Sequence, residues 1–125
     1  MVETTKNRLF LDAYNANPSS TRAALENFAQ LIAPKKGVIL GDMLELGTVA
    51  GEEHQKIVDI LSGMKLDLVY LVGPNYSGCR MKDAYQCFNN SQDLALFLSE
   101  KNPEGYLFLI KGSRGMKLET TLTEL

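Results

Sequence analysis

The stretch that decides the fold of this chain is Arg8-Leu-Phe-Leu-Asp-Ala-Tyr-Asn-Ala-Asn-Pro18. Its apolar first part, residues 8–11, predicts a short strand, and a helical pattern begins at Pro18. Asn17 suits the N-cap of that helix, and proline suits its first position. The polar residues 12–17 therefore join the carboxyl end of a strand to the amino end of a helix. In open α/β folds ligands bind at this junction, where helix N–H groups attract anions.

Strands alternate with helices along the rest of the chain. Short apolar and β-branched runs predict six strands, at about residues 2–5, 8–12, 37–41, 67–72, 85–88 and 106–110. Helical periodicity predicts four helices, at about residues 18–32, 50–64, 91–101 and 115–124. This alternation predicts an α/β, Rossmann-like domain of three layers, residues 1–125, with helices on both faces of the sheet. The sheet of about six strands is expected to be mostly parallel, with the first strand as one antiparallel edge.

Several local expectations accompany this fold. The third helix is expected to begin behind a Ser91 cap. Residues 73–78 are interpreted as a turn, because a phosphate loop there requires Gly-Lys-Ser/Thr. His54 is interpreted as a structural histidine, since no catalytic partner is identifiable. The first helix is expected to bury one apolar face, which comprises Ala24, Leu25, Phe28, Leu31 and Ile32.

The composition of the chain excludes several classes of protein. Its 125 residues suit one domain, and a net charge of −2 argues against a nucleic-acid groove or a basic membrane face. No apolar run is long enough to span a membrane, and the first residues lack the pattern of a signal peptide. Two cysteines without metal spacing are expected to be free thiols, and a single histidine excludes a multi-histidine metal site. We therefore expect a cytoplasmic domain without nucleic-acid partners, membrane spans or a metal site of its own.

The junction after residue 11 holds the first candidate site residues. Asp12 can accept hydrogen bonds from ribose hydroxyls, or it can cap the loop that follows. Asn15 and Asn17 each donate and accept, which suits adenine, ribose or peptide amides, although Asn17 serves equally well as a plain helix cap. Tyr14 can stack on a base, but covering the end of the sheet is the slightly favoured role on residue type alone.

A second candidate loop follows the most apolar predicted strand. Lys111, Ser113 and Arg114 stand there among glycines, which let the backbone approach a ligand closely. Lysine and arginine suit phosphate or carboxylate groups. The alternative is an exposed turn with solvated charges. The position of the loop after the strand at 106–110 favours a binding role.

A third loop, Gly41-Asp-Met-Leu-Glu45, places two acids after a buried strand. Asp42 and Glu45 can hold magnesium or water, or contact an amine, and a solvated turn is an equal alternative. The chain lacks a phosphate-loop lysine and a recognisable set of nucleophile, base and oxyanion donors. We therefore expect ligand-binding residues and no catalytic residue on this chain.

Three stretches of the chain, in this order, closely resemble the Mur ligase family. They are Asp12-x-Tyr-Asn-Ala-Asn-Pro-x-Ser20, Gly41-Asp-Met-Leu-Glu-Leu-Gly47 and Lys111-Gly-Ser-Arg-Gly-Met-Lys-Leu-Glu119. The likeness is to the C-terminal domain of the members that add D-alanyl-D-alanine to a cell-wall precursor, and it spans nearly the whole chain. It implies a Rossmann-like domain that closes over a central domain.

The resemblance also implies a reaction. A Mur ligase uses ATP to phosphorylate a peptide carboxylate, and the incoming amine attacks the acyl phosphate, giving an amide, ADP and phosphate. The implied function is that of an ADP-forming acid–amino-acid ligase joining D-alanyl-D-alanine to UDP-N-acetylmuramoyl-tripeptide in peptidoglycan synthesis, and so in cell-wall biogenesis, cell shape and cell division. The implied cofactors are ATP and Mg²⁺, whose phosphate and metal sites belong mostly to a central domain outside this sequence.

Within that reaction the resemblance assigns this chain a binding role. Asp12, residues 14–17 and Ser19 are implied to face nucleotide and amino substrate when the domain closes, and residues 111–114 are implied to line the same cleft. The implied partners are the N-terminal and central domains of the same enzyme, and we expect a monomer. The isolated chain is expected to fold without catalysing the reaction.

Two other classes of protein fit the same fold. A receiver-like signalling module also places acids and a lysine at strand ends, as Asp12 and Lys111 do. It needs an acidic pair after the first strand and a phospho-accepting aspartate after the third, whereas Asp12 has no adjacent acid and Val72-Gly-Pro74 occupies a comparable strand end. A free-standing nucleotide-binding module is the other alternative. A Gly-Lys-Thr/Ser phosphate loop encoded upstream of residue 1 would favour the ligase.

Overall fold

A six-stranded mixed sheet forms the centre of a computed structural model of the chain, which describes residues 1–12 and 15–125. In chain order its strands are β1 (Val2–Glu3), β2 (Arg8–Asp12), β3 (Lys36–Gly41), β4 (Leu68–Val72), β5 (Gln86–Phe88) and β6 (Leu107–Lys111). The helices of this part of the chain are α1 (Pro18–Gln30), α2 (Ala50–Ser62), α3 (Pro74–Ser77) and α4 (Ser91–Lys101). Short 3₁₀ segments cover Gly47–Val49, Arg114–Met116 and Leu118–Glu124.

The strands follow the order β1-β2-β6-β3-β4-β5 across the sheet. β1 pairs antiparallel with β2, and the other described pairs are parallel. Only residues 4–7 separate β1 from β2, which is too short for a parallel crossover. The predicted α/β fold, with a mostly parallel sheet and one antiparallel edge strand, is confirmed. Because β2, β6 and β3 lie side by side, the loops after Asp12, Lys111 and Gly41 share one edge of the sheet.

Helices cover both faces of the sheet, because successive side chains of a strand point to opposite faces. On one face α1, α2 and α3 contribute to a core cluster that includes Leu25 and Phe28. On the other face α4 and the last 3₁₀ segment contribute Leu94 and Leu118 to a cluster around Ile39 of β3. The three predicted layers are therefore present.

α1 ends two residues earlier than predicted, at Gln30. The cause is Lys36, whose buried side chain donates from Nζ to the carbonyl oxygens of Phe28 (2.7 Å) and Leu31 (2.9 Å). The Phe28 carbonyl also accepts the N–H of Leu31 at 3.1 Å, so the backbone and the Lys36 side chain together close the last turn of α1. Leu31 and Ile32 consequently do not belong to the core face that the sequence predicted, and Ile32 is 98% exposed.

The C-terminal segment differs most from the prediction. In place of one α-helix over residues 115–124, two 3₁₀ segments are separated by Lys117, whose backbone is left-handed with φ of 54°. The hydroxyls of Thr120 and Thr121 donate to carbonyl oxygens three residues earlier, at 2.8 and 2.7 Å. Such local bonds compete with α-helix geometry and favour the tighter turn. Leu118 is buried nonetheless, as the helical pattern had indicated.

Two smaller expectations are also corrected. The N-cap of α4 is Asn90, whose side chain accepts from the N–H of Asp93 at 2.8 Å, whereas Ser91 is buried in the first turn. Residues 73–78, interpreted as a turn, contain the one-turn helix α3. None of the described helices has the length and apolar character needed to cross a membrane.

Candidate functional site

Asp12 and Lys111 form an ion pair at the carboxyl edge of the sheet. Parallel pairing places them opposite each other at the ends of β2 and β6, and Lys111 Nζ lies 2.5 Å from Asp12 Oδ2. The ammonium group also donates to the carbonyl oxygen of Asn15 at 2.9 Å. The two side chains differ in burial: the side chain of Lys111 is 1% exposed, and that of Asp12 is 53% exposed. Lys111 is thus a buried cation that fixes the position of Asp12, and the Asp12 carboxylate is exposed to solvent.

The N-terminus of α1 follows this pair and is capped by its own residues. Asn17 Oδ1 accepts from the N–H of Ser20 at 2.8 Å, and Ser20 Oγ accepts from the N–H of Asn17 at 3.1 Å. This reciprocal capping box gives Asn17 its structural role and uses Ser20, a residue that the site prediction omitted although the Asn-x-x-Ser spacing signals it. Asn15 and Ser19 are exposed, and the prediction for Tyr14 falls outside the described residues.

The loop after β6 is hydrogen-bonded to the end of β2 and to the loop that follows it. The N–H of Gly112 donates to the carbonyl oxygen of Asp12 at 3.2 Å, and Ser113 Oγ lies 3.5 Å from the carbonyl oxygen of Ala16. Ser113 is half-buried, and Arg114 is exposed at the start of a 3₁₀ segment. The predicted binding residues of the two loops therefore lie on one continuous part of the sheet edge.

Asp42, directly after β3, has a structural role in the fold. It is 1% exposed, its Oδ2 accepts from the N–H of Asn75 at 2.9 Å, and its Oδ1 accepts from the N–H of Tyr76 at 3.1 Å. These bonds cap the amino end of α3. Gly73 has φ of 120°, and a Cβ there would collide with the Asp42 carboxylate. An enclosed carboxylate of this kind does not fit a magnesium ligand, whereas Glu45 is exposed with φ of 64°.

His54, on α2, is fully buried beside Asp42. Its Nε2 lies 2.9 Å from the backbone nitrogen of Met43, and its Nδ1 lies 2.6 Å from the carbonyl oxygen of Ala50. A backbone N–H can only donate and a carbonyl can only accept, so the ring carries its proton on Nδ1 and is neutral. The 3.8 Å approach of Nε2 to Asp42 Oδ1 is therefore not an ion pair. This geometry agrees with the interpretation of His54 as structural.

An open groove of about 360 Å³ lies between β2 and α1, and Asp12 is one of its lining residues. An apolar wall beside an exposed carboxylate suits a ligand with a flat apolar part and hydroxyl groups. A larger depression of about 610 Å³ lies at the opposite edge of the sheet, away from every predicted site residue. The remaining lining residues of the first groove are Met1, Phe10, Leu11, Ala24, Asn27, Phe28, Leu31 and Leu109.

A match to a known protein family shows which family this chain belongs to. Residues 1–114 match the family described as Mur ligase, glutamate ligase domain. The chain belongs to this family. The match covers the loops that contain Asp12 and Asp42 and the beginning of the loop after β6, so the resemblance inferred from these motifs is confirmed.

Two curated relatives of this Mur ligase domain share one name. The UDP-N-acetylmuramoyl-tripeptide–D-alanyl-D-alanine ligases of Rickettsia prowazekii and Bacillus subtilis are each 35% identical to it, over 123 and 122 residues. These matches cover 95% and 91% of this chain but 27% of each relative. The chain thus spans about a quarter of the length of the curated relatives that it matches.

Solved structures share the fold of the Mur ligase domain. MurF from Acinetobacter baumannii has a TM-score of 0.82 at 30% identity, over 99% of this chain and 28% of that one. The MurF ligase of Thermotoga maritima in complex with ADP has a TM-score of 0.79 at 25% identity, over 98% of this chain and 29% of that one. These matches favour the Mur ligase interpretation over a receiver-like or free-standing nucleotide-binding module.

Proposed function

We propose that this domain is the C-terminal domain of an ADP-forming ligase that joins D-alanyl-D-alanine to UDP-N-acetylmuramoyl-tripeptide in peptidoglycan synthesis. The names of the relatives support the substrates, and the quarter of their length that the chain spans supports additional N-terminal and central domains. The observation that carries the proposal is the half-exposed Asp12 carboxylate, held by a buried lysine beside an apolar groove. We propose a cytoplasmic, monomeric enzyme in which residues 1–125 form one domain.

The edge around Asp12 suits the nucleoside part of ATP. Lys111 occupies Oδ2 of Asp12, and Oδ1 accepts no hydrogen bond from the described residues. Adjacent ribose hydroxyls can donate to such a carboxylate, and the groove beside it offers apolar contact to a purine. The ADP complex of a similar MurF ligase supports a nucleotide as the ligand.

Lys111 acts in this proposal through Asp12 rather than by binding phosphate. Its ammonium group is buried and directed to Asp12 and to the carbonyl oxygen of Asn15. Holding the carboxylate in place before the ligand arrives lowers the entropy cost of binding. Arg114 is an exposed cation of the same edge, and its guanidinium suits a phosphate or peptide carboxylate that approaches when the domains close.

The residues of this chain bind and orient in the proposed reaction. ATP with Mg²⁺ would supply the phosphoryl group that activates the peptide carboxylate, and we place the phosphate loop and the magnesium site on the central domain. Asp12 would hold the ribose, while Tyr14, Asn15, Asn17, Ser19, Ser113 and Arg114 would line the closing cleft. The chain alone is therefore expected to unfold cooperatively and to show no ATP-dependent amide formation.

The experiment that tests this proposal uses the complete ligase that carries this domain. Asp12→Asn removes the charge but keeps the size of the side chain. We expect it to raise the KM for ATP about ten- to a hundredfold, because a hydrogen bond to a charged group is worth about 1.5–3 kcal/mol. The matched control is Glu100→Gln, an exposed acid on α4, which should leave the kinetics unchanged.

Two results would contradict the proposal at different levels. An unaltered ligase that does not join D-alanyl-D-alanine to UDP-N-acetylmuramoyl-tripeptide in the presence of ATP would overturn the reaction. An Asp12→Asn variant with an unchanged KM for ATP would overturn the assignment of the nucleotide to the Asp12 edge.

A further inference from the structure

His54 connects α2 to the backbone of the loop after β3. It donates from Nδ1 to Ala50 within its own helix, and Nε2 accepts the N–H of Met43. We propose that His54 is a positioning residue, which holds Met43 so that the next residue, Leu44, supports the loop that carries Ser113 and Arg114. This inference rests on the proposed function, because it assigns a purpose to that loop.

The contact between the two loops is close. A Cβ added to Gly115 would lie 3.1 Å from Leu44 Cδ1, and one added to Gly41 would lie 3.1 Å from Met116 Cγ. Glycine at these positions therefore lets residues 41–44 approach residues 112–116. Leu44 remains 43% exposed, so its contact with this loop is not explained by burial in the core. A shift of the Met43 backbone would move Leu44 and, through this contact, Gly115, which directly follows Arg114.

The orientation of the imidazole ring is fixed from three sides. Its two nitrogens have partners on different segments of the chain, and the ring of Tyr76 meets it edge-on at 4.6 Å between centroids. The Asp42 carboxylate, 3.8 Å from Nε2, is itself held by backbone N–H groups of α3. A ring fixed in this way can hold a backbone N–H at a defined position, as supporting residues of binding sites do.

Two amide variants separate the two hydrogen bonds of the ring. By the number of bonds from Cα, the side-chain oxygen of His54→Gln falls where Nε2 lies, so this variant can still accept the N–H of Met43. The amide nitrogen of His54→Asn falls where Nδ1 lies, so this variant can bind only the carbonyl oxygen of Ala50. Both variants remove the imidazole ring from the core. Each variant therefore serves as the control for the loss of ring packing in the other.

The test combines NMR on this chain with kinetics on the complete ligase. Nitrogen shifts of His54 should show a neutral ring protonated on Nδ1. In His54→Asn, the amide of Met43 should exchange with solvent at least about tenfold faster and the amide resonance of Gly115 should move. The kcat should fall at least about tenfold. In His54→Gln, the Gly115 resonance should stay in place and the kcat should remain within about threefold.

Several results would overturn the inference. A ring protonated on Nε2, or an unchanged Gly115 resonance in His54→Asn, would show that Met43 does not transmit the position of His54. Equal losses of kcat and of melting temperature in both variants would show a purely structural role. If the unaltered ligase has no activity, the proposed function fails, and the Gly115 resonance alone still decides whether His54 positions the loop.

Discussion

Asp12 and Asp42 occupy equivalent places in the sheet but have opposite surroundings. Asp12 is the last residue of β2 and Asp42 directly follows β3, so both stand at the carboxyl end of a mostly apolar parallel strand. Asp12 is half-exposed and is held by the buried Lys111, whereas Asp42 is enclosed and accepts two backbone N–H groups of α3. The comparison shows that the position of an acid at the ligand edge does not decide its role. The segment that folds over it does, and for Asp42 that segment is α3.

The largest expected effect concerns the enclosed acid. Asp42→Ala should lower the free energy of unfolding by about 3–5 kcal/mol, because it removes two hydrogen bonds to a charged group and leaves the N–H groups of Asn75 and Tyr76 without acceptors. Denaturant unfolding measures this loss. Glu45→Gln, at an exposed acid of the same loop, should change the stability by no more than about 0.5 kcal/mol. A loss of stability below about 1 kcal/mol for Asp42→Ala would contradict the structural role of Asp42.

A smaller loss of stability is expected when the half-exposed pair is broken, and its size depends on which partner is removed. Asp12→Ala leaves the buried ammonium of Lys111 without a carboxylate and should cost about 2–3 kcal/mol of stability. Lys111→Met, which keeps most of the buried stem, leaves a carboxylate that water can solvate and should cost about 1–2 kcal/mol. Unfolding curves of both variants in the same buffer test this order, and a larger loss for Lys111→Met would show that Lys111 is not the buried partner.

The smallest expected effect is a loss of stability at high pH, which arises from the buried tyrosines Tyr70 and Tyr76. Burial, and then the charge of Asp42, raises the pKa of Tyr76 above its ordinary value, and burial raises the pKa of Tyr70 to about 12. The unfolded chain loses these phenolic protons near pH 10, while the folded chain retains them. The folded state then binds more protons, so stability is complete below about pH 10 and is lost as the pH rises toward about 12.

Phenylalanine variants isolate this contribution. Tyr76→Phe and Tyr70→Phe should each flatten the loss of unfolding free energy between about pH 10 and 12, because neither variant has a phenol to ionise. The same variants measured near pH 8, where the phenols are neutral in both states, serve as their own control. An unchanged alkaline slope in Tyr76→Phe would indicate that Tyr76 and its neighbour Asp42 are accessible to water.

The sequence was sufficient for the parts of the fold that depend on local pattern. The alternation of strands and helices, the antiparallel first strand and the cap at Asn17 follow from spacing and residue type. The different roles of Asp12 and Asp42 do not, because they depend on contacts between segments distant along the chain. The N–H of Asn75 donates to Asp42, which precedes it by 33 residues. Lys111, the partner of Asp12, follows Asp12 by 99 residues.

The helix predictions were wrong where a side chain outside the predicted helix bound its end or where helix propensity was weak. Lys36 ends α1 by binding its last carbonyl groups, so Ile32 is exposed despite its helical spacing. In the C-terminal segment, threonine hydroxyls bind the backbone and favour 3₁₀ turns. Lys111 was expected to face the ligand with Asp12, and its burial follows from the central position of β6 in the sheet.

Titration of the ¹⁵N-labelled chain with ADP, followed by NMR, tests the central claim that Asp12 is the ligand group and Asp42 a structural one. We predict saturable shifts at Asp12, at Asn15 and in residues 111–114, with a dissociation constant on the order of millimolar because this chain has no Gly-Lys-Ser/Thr phosphate loop. Asp12→Asn should abolish these shifts, while Asn75 and Tyr76 should show none in either protein. Shifts centred on Asp42 and α3, or unchanged ADP binding by Asp12→Asn, would contradict the account.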